Sequence, residues 1–426
     1  MLSLKFFKNP ERIGGGITEI NYDGHRLIID MGAELEWQDN KQIDETTIPN
    51  SENSYLANLL SQVKQEEEPN PMIEGVTTGK VDCEGVLITH YHGDHMALVK
   101  YVLSEVPVYM SKVSKEIGLA IQNRLKKSKR NIADVETIKT LERANTFSRN
   151  DFGKDFQIGV FTVRPIRVDH SAFDALAYLI TIAEKKIFFT GDFRSHGYTG
   201  KALFKTLEHY VGKVDVIITE GTNLNRWKEP ITEFELKKKF EEVCKNNKYV
   251  LYLGASTNID SLLSMAYAAK EMQSAFEPDE FQREILDIIA KNSKSDFYKN
   301  PLFKFKNVKG LVLPFRLGNL DFAKRFYEKY GEQSVLIYSM WDGYIEKNEE
   351  LKKLKELWGN KFVSLHSSGH ASAEDIKKMV GICSKGERET FVIPMHLENF
   401  HDIDALYLPA FVYKLGQNEN FFIIEN

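Results

Sequence analysis

The sequence predicts a layered α/β protein made of two α/β units, on three observations. Apolar, β-branched runs alternate with helical segments through the first half of the chain. The same alternation restarts near Pro230, with few Gly-Pro linkers. In the first unit the strand-like GVLIT runs straight into His90-Tyr91-His92-Gly93-Asp94-His95, which places four ligand-type side chains where a strand turns into a helix.

In chain order, the front strands are RLIID (26–30), GVLITH (85–90), VPVYM (106–110), IGVFTVRPIRV (158–168), ALAYLITI (175–182), KIFFTGD (186–192) and VDVIITEG (214–221). Several end in a polar residue able to act from a strand tip: Asp30, His90, Asp192 and Glu220. Helices are expected at MALVKYVLSE after His95 and at SKEIGLAIQNRLKK from Ser114. Further on, KKKFEEVCKNN reads as a helix, YVLYLG as a strand and IDSLLSMAYAAKEM as a helix. GLVLPF, SVLIYSM and FVSLHSSGHAS are strand-like, EDIKKMVGICS is helical, and FVIPMH (391–396) returns to a strand ending in histidine. The polar, turn-rich DNKQIDETTIPNSENS and KQEEEPNPM, within 39–72, read as surface insertions.

Composition excludes whole classes. At 42% hydrophobic and 12% aromatic, the 426 residues cannot be a disordered chain. No apolar run reaches the ~18 residues of a membrane helix, and MLSLKFFKNPERIGGG lacks the apolar stretch and cleavage site of a signal peptide. Cys83, Cys244 and Cys383 form no CxxC pair, so a cytoplasmic protein without a disulfide framework is expected. The 56 Lys+Arg against 61 Asp+Glu give a net charge of −5, so a polyanion would have to be held by a local groove. Candidate cations are Arg124, Lys126, Lys127, Lys129 and Arg130; Lys237 to Lys239; and Lys304, Lys306 and Lys309. Each cluster competes with the plainer reading of a solvated surface. Phe193, Trp341 and Tyr344 could stack bases, against the commoner role of core packing.

The chemistry concentrates at His90, His92, Asp94 and His95. Imidazole and carboxylate together suit zinc or manganese, and there are enough of them to hold two ions. Further ligands must come from elsewhere in the chain. His170 lies just beyond a strand, and Asp192 ends KIFFTGD, where a carboxylate can bridge two mutually repelling cations.

With these residues in place, the chain resembles the metallo-β-lactamase superfamily. Asp30, in LIIDMG, looks like that fold's first-motif aspartate, which orients a ligand histidine from behind. Gly14-Gly15-Gly16-Ile17-Thr18-Glu19-Ile20 is similar to the opening of the RNase J group. Glu220 in VIITEG, His370 in His366-Ser367-Ser368-Gly369-His370-Ala371-Ser372 and His396 in VIPMH resemble the three signatures of the β-CASP branch, whose members cleave nucleic-acid phosphodiesters. The resemblance implies a metallo-β-lactamase αββα sandwich (1–225 and 376–426) with an inserted α/β β-CASP domain (226–375), lacking the C-terminal domain of RNase J.

By the same resemblance, Glu220 would hold His370, and His370 would contact the scissile phosphate or protonate the leaving oxygen. Ser368, Gly369, His370, Ala371 and Ser372 look like a pocket for a substrate phosphate, although SSGHAS read alone is a loop entering a helix with Ser372 as its N-cap. Histidine rather than valine at position 396 is the pattern of RNA-processing members rather than DNA nucleases. Leu397-Glu398-Asn399-Phe400 and Ser339-Met340-Trp341-Asp342-Gly343-Tyr344 depart from the corresponding RNase J runs.

The expected enzyme is a metal-dependent ribonuclease acting on single-stranded RNA, using two divalent ions, zinc first and manganese second. One ion would take His90, His92 and His170; the other Asp94, His95 and His396; Asp192 would bridge them. A bridging hydroxide would attack phosphorus in line, with Asp94 as proton acceptor. No membrane role is expected, and homodimerisation is left open. A DNA nuclease or a small-molecule ester or lactone hydrolase of the same fold is the alternative.

Overall fold

The computed structural model describes residues 1–7, 13–34, 70–127, 133–226, 229–299, 301–415 and 421–424. Most of the expected insertion within 39–72, together with Lys129 and Arg130, lies outside the described residues. Two compact units divide the chain: Met1–Leu35, Glu68–Pro230 and Gly369–Asn426 form one, and Ile231–Ser368 belongs to the other. Gly369 onward lies in the first compact unit, where Glu220 binds His370 Nδ1 and the Ala371 N–H.

The first unit holds two seven-stranded sheets. One runs Phe421–Ile424, Leu2–Phe6, Thr18–Tyr22, His25–Ile29, Gly85–Leu87, Val108–Ser111 and Asn145–Phe147 across its width. The other runs Phe411–Val412, Phe391–Met395, Val216–Glu220, Lys185–Phe189, Leu176–Ile182, Phe161–Arg167 and Phe156–Ile158. A single apolar core joins them, with Leu4, Ile20 and Ile29 from the first sheet and Val163, Ile180, Ile187 and Ile217 from the second. Helices Leu203–Tyr210 and Ala373–Cys383 pack with the second sheet, so Val216–Glu220 is buried along its length and reads as a continuous apolar run. Helix Lys112–Lys127 packs with the first sheet, which completes the αββα layering.

Three strand prolines obey the ladder. Pro165, Pro314 and Pro394 each pair on one side only, at or beyond the point where the other neighbouring strand has ended, so no sheet N–H is missed.

The second unit carries a five-stranded, all-parallel sheet in the order Ser274–Phe276, Gly310–Phe315, Tyr249–Gly254, Ser334–Ser339, Phe362–Ser364. Helix Glu233–Asn246 opens on a capping box, with Thr232 Oγ1 accepting from Glu235 N while the Glu235 carboxylate accepts from Thr232 N. Trp341 and Tyr344 meet edge to face at 5.3 Å in this unit.

Several expectations are corrected. MALVKYVLSE is a short helix Gly93–Met96 followed by a 3₁₀ turn Ala97–Tyr101, because the Leu98 N–H is taken by the Met31 carbonyl. FVSLHSSGHAS is a strand only over Phe362–Ser364. The strands expected to carry Asp30, His90 and Asp192 end at Ile29, Leu87 and Phe189, so these residues sit on the loops that follow.

Candidate metal centre

The turn 90–95 is held by backbone rather than by its own side chains. N–H groups of Gly15, Met31 and Ala33 donate to the carbonyls of Asp94, His95 and Gly93 at 3.2, 2.9 and 3.1 Å. Gly15 sits at φ 74°, which favours glycine. Gly32 admits no side chain, since a Cβ there would lie 1.7 Å from the Asp94 carbonyl oxygen. The Gly-rich opening and the LIIDMG segment therefore clamp the ligand-bearing turn from behind.

Two donor groups lie beside this clamp, and a third overlaps the second through Asp192 and His396 and adds Glu220 and His370. Ligand atoms of His90, His92 and His170 lie within 4.8 Å of one another, and so do those of Asp94, His95, Asp192 and His396. His92 Nδ1 to His170 Nε2, His95 Nε2 to Asp192 Oδ2 and His396 Nε2 to Asp94 Oδ2 are each 3.2 Å. Donors at ~2.0–2.1 Å from a tetrahedral ion stand ~3.3 Å apart, so these spacings are the edges of a zinc-sized coordination shell. Asp192 Oδ2 also lies 3.9 Å from His90 Nε2 and 3.8 Å from His170 Nε2, facing both groups. His90 Nε2 and His95 Nε2 are buried polar atoms with no hydrogen-bond partner, a costly state unless a cation takes their lone pairs. The residues fit a pair of divalent ions.

Several rings are oriented from their other nitrogen. His95 Nδ1 meets Asp30 Oδ2 at 2.8 Å, and Asp30, at φ 62°, also accepts from Thr89 N and Oγ1. His170 Nδ1 donates to the Gly369 carbonyl at 2.6 Å, and His90 Nδ1 meets Thr89 Oγ1 at 3.1 Å. His370 Nδ1 meets Glu220 Oε2 at 2.9 Å and Asp192 Oδ2 at 3.5 Å.

Charge separates the two groups. Burial, reinforced by neighbouring imidazoles, holds His90 well below the usual imidazole pKa. Burial also lowers His92, to about 4, and His170, overriding the attraction of Asp94 and Asp192 respectively. At His95 burial is outweighed by Asp192, Asp30 and Asp94, which raise it well above the usual value. Burial opposes ionisation of Asp192, but His396, His95 and His370 outweigh it and hold the carboxyl well below its usual range. Asp94 behaves likewise, with His95 and His396 outweighing burial. Such a carboxylate is a good anionic ligand. At His370 burial is outweighed by Glu220 and Asp192, raising the pKa to about 9, so the ring is cationic near neutrality.

A family model described as a beta-lactamase superfamily domain matches residues 59–240. The chain carries a metallo-β-lactamase superfamily domain. A ribonuclease J of Mycoplasma genitalium is 26% identical over 223 residues, 51% of this chain but 33% of that protein. The match thus spans about a third of that relative's length. A crystal structure of a protein of unknown function from Enterococcus faecalis V583 shares the fold across 99% of this chain and 100% of that one, with a TM-score of 0.70 at 17% identity. Among the described residues, no helix is long and apolar enough to cross a membrane.

Several polar groups in the run around His370 have partners within the fold. The Gly369 carbonyl is given to His170, and the Ala371 N–H to Glu220 Oε1 at 3.2 Å. Ser372 is the N-cap of helix Ala373–Cys383, its Oγ accepting from Asp375 N at 3.1 Å, though it keeps its own proton to donate. Ser368 is the last residue of the second unit. Phe193 is 1% exposed, which rules it out as a base platform; its N–H donates to Glu220 Oε1. Lys238, Lys239, Lys304, Lys306 and Lys309 are exposed, and Lys237 pairs with Glu241 one turn on.

Four positioning residues went unread in the sequence. Thr89 sits between Asp30, His90 and His95; Asn223 Nδ2 donates to the carbonyls of His370 and Ala371; and the buried Arg194 donates to Asp169, which precedes His170. Only their adjacency to His90, Glu220, Asp192 and His170 marked them.

Proposed function

We propose that this protein is a metal-dependent phosphodiesterase acting on single-stranded RNA, with the second unit serving as a β-CASP insertion. The observation that carries the reading is the Glu220–His370 pair, which puts a cationic, partly exposed ring 3.5 Å from Asp192. A lactone or thioester is neutral, whereas a phosphodiester carries a full negative charge shared by its two non-bridging oxygens, which a cationic ring beside the donor groups suits. The similarity to a ribonuclease J supports RNA as the strand.

In this reading His90, His92 and His170 hold one divalent ion, zinc or manganese; Asp94, His95 and His396 hold the other; and Asp192 faces both. When bound, the ions supply Lewis acidity that makes a water nucleophilic near neutrality and neutralises phosphate charge. Asp30 keeps the His95 ring aimed by taking its Nδ1–H. His370, 23% exposed at its side chain while Glu220 and Asp192 are 1% and 2% exposed, contacts a phosphate oxygen and delivers a proton to the leaving oxygen. Glu220 keeps that ring protonated and oriented.

Asp192→Ala tests the assignment, with metal content measured beside cleavage of labelled RNA, DNA, bis-p-nitrophenyl phosphate and a lactone. Loss of bound metal with loss of RNA cleavage is expected. Undiminished turnover, or wild-type turnover confined to the lactone, would refute it.

A further inference from the structure

The outward nitrogen of His396 meets a threonine hydroxyl rather than a carboxylate, a carbonyl group or a neighbour in the ligand turn. The residue follows strand Phe391–Met395 in the left-handed region at φ 56°, 3% exposed, with Nε2 aimed at Asp94 Oδ2. Its Nδ1 lies 2.8 Å from Thr222 Oγ1. Thr222 is two residues beyond Glu220, and its side chain is buried.

A hydroxyl can serve either tautomer of an imidazole, because it both donates and accepts. Here a second contact points to one tautomer. Thr222 Oγ1 also lies 3.2 Å from the His396 backbone carbonyl, which can only accept and also receives the Gly221 N–H at 3.4 Å. With the hydroxyl proton given to that carbonyl, Oγ1 accepts at Nδ1. The proton of a neutral His396 ring then sits on Nδ1, and the Nε2 lone pair points toward Asp94. His95 and His170 hold their Nδ1–H through pure acceptors, Asp30 and the Gly369 carbonyl. A left-handed backbone at His396 matters too: it is a strained conformation for a residue with a Cβ, and the Thr222 hydroxyl ties ring and carbonyl of that one residue together.

We propose that Thr222 is a positioning residue that sets the tautomer of His396 and so directs Nε2 to the Asp94–His95–Asp192 group as a metal ligand. This rests on the reading of His396 as a ligand given above. The methyl of threonine and the shape of valine are nearly the same, so Thr222→Val removes the hydroxyl without opening space, and Thr222→Ser keeps the hydroxyl.

Zinc-loaded wild type, Thr222→Val and Thr222→Ser are compared by chelator competition for each ion and by nitrogen NMR of labelled histidine. The expected result is a loss of affinity of roughly 10–100-fold for one of two zinc ions in the valine variant, and recovery in the serine variant. The NMR should show one ring losing its fixed Nδ1–H only in the valine variant. Melting of the chelated proteins should stay together, since a purely structural threonine would lower all three readouts alike. Wild-type zinc affinity in Thr222→Val overturns the proposal, as does a wild type that binds fewer than two ions. If wild type binds two ions and Thr222→Val loses one, yet no RNA is cleaved, the positioning role stands and the ribonuclease reading falls.

Discussion

His92 Nδ1 and His170 Nε2 stand 3.2 Å apart although 78 residues separate them in the chain. His170 Nδ1 donates to the Gly369 carbonyl, so in the neutral ring Nε2 carries a lone pair, and that lone pair is turned toward His92. Removing this arm should empty one position and spare the other. His170→Ala is expected to halve the bound zinc measured by elemental analysis, with the Asp94–His95–Asp192–His396 group still loaded. Full retention of both ions would contradict the division into two groups.

His370 should matter for turnover and not for metal. Truncating it to alanine is expected to lower kcat by ~10²–10⁴, the usual range for a positioned acid, at unchanged zinc content. Glu220→Gln should follow it in direction with a smaller loss, because the ring keeps a hydrogen-bond partner but loses the charge that favours its protonation. Single-turnover RNA cleavage is the measurement.

The chelated protein should be least stable at the acidic and alkaline ends. His92, held to about 4, and His90 and His170, also lowered, stay neutral in the fold, while the unfolded chain protonates them below ~6.5. Stability from these rings is therefore present above ~6.5 and lost as pH falls toward 4. His370, raised to about 9, runs the other way: its contribution is complete below ~6.5 and disappears as pH rises through about 9. Urea midpoints of chelator-treated protein should peak near neutrality, and a midpoint still rising at about pH 5 would contradict this.

Gly32→Ala probes the clamp behind the ligand turn. A Cβ 1.7 Å from the Asp94 carbonyl oxygen forces the turn to move, with an expected cost of about 3 kcal/mol or more. The urea midpoint and zinc content should drop together. Wild-type values for both would show that the turn is not held there.

Much of this was legible from residues alone. HxHxDH after GVLIT announced its chemistry because its ligands are local: four donors in six residues need no knowledge of the fold. A strand run such as YVLYLG was bounded correctly because burial on both faces leaves an unbroken apolar signature. Weakly patterned or very short strands such as Asn145–Phe147 and Phe411–Val412 left no such mark and depend on neighbours for their existence.

What the sequence determined by itself was the inventory: which imidazoles and carboxylates exist, and that Asp30, His170, Asp192, Glu220, His370 and His396 belong with the turn at 90–95. Tertiary structure alone decided how each group is spent. It gave the Ala371 N–H to Glu220, the Ser372 oxygen to a helix cap, the Asp94 carboxylate to two imidazoles and the Thr222 hydroxyl to His396, 174 residues away. The physical reason is that a ligand's identity is a property of one side chain. Its tautomer, charge and direction are set by hydrogen bonds to partners that only the folded backbone brings within 3 Å or so.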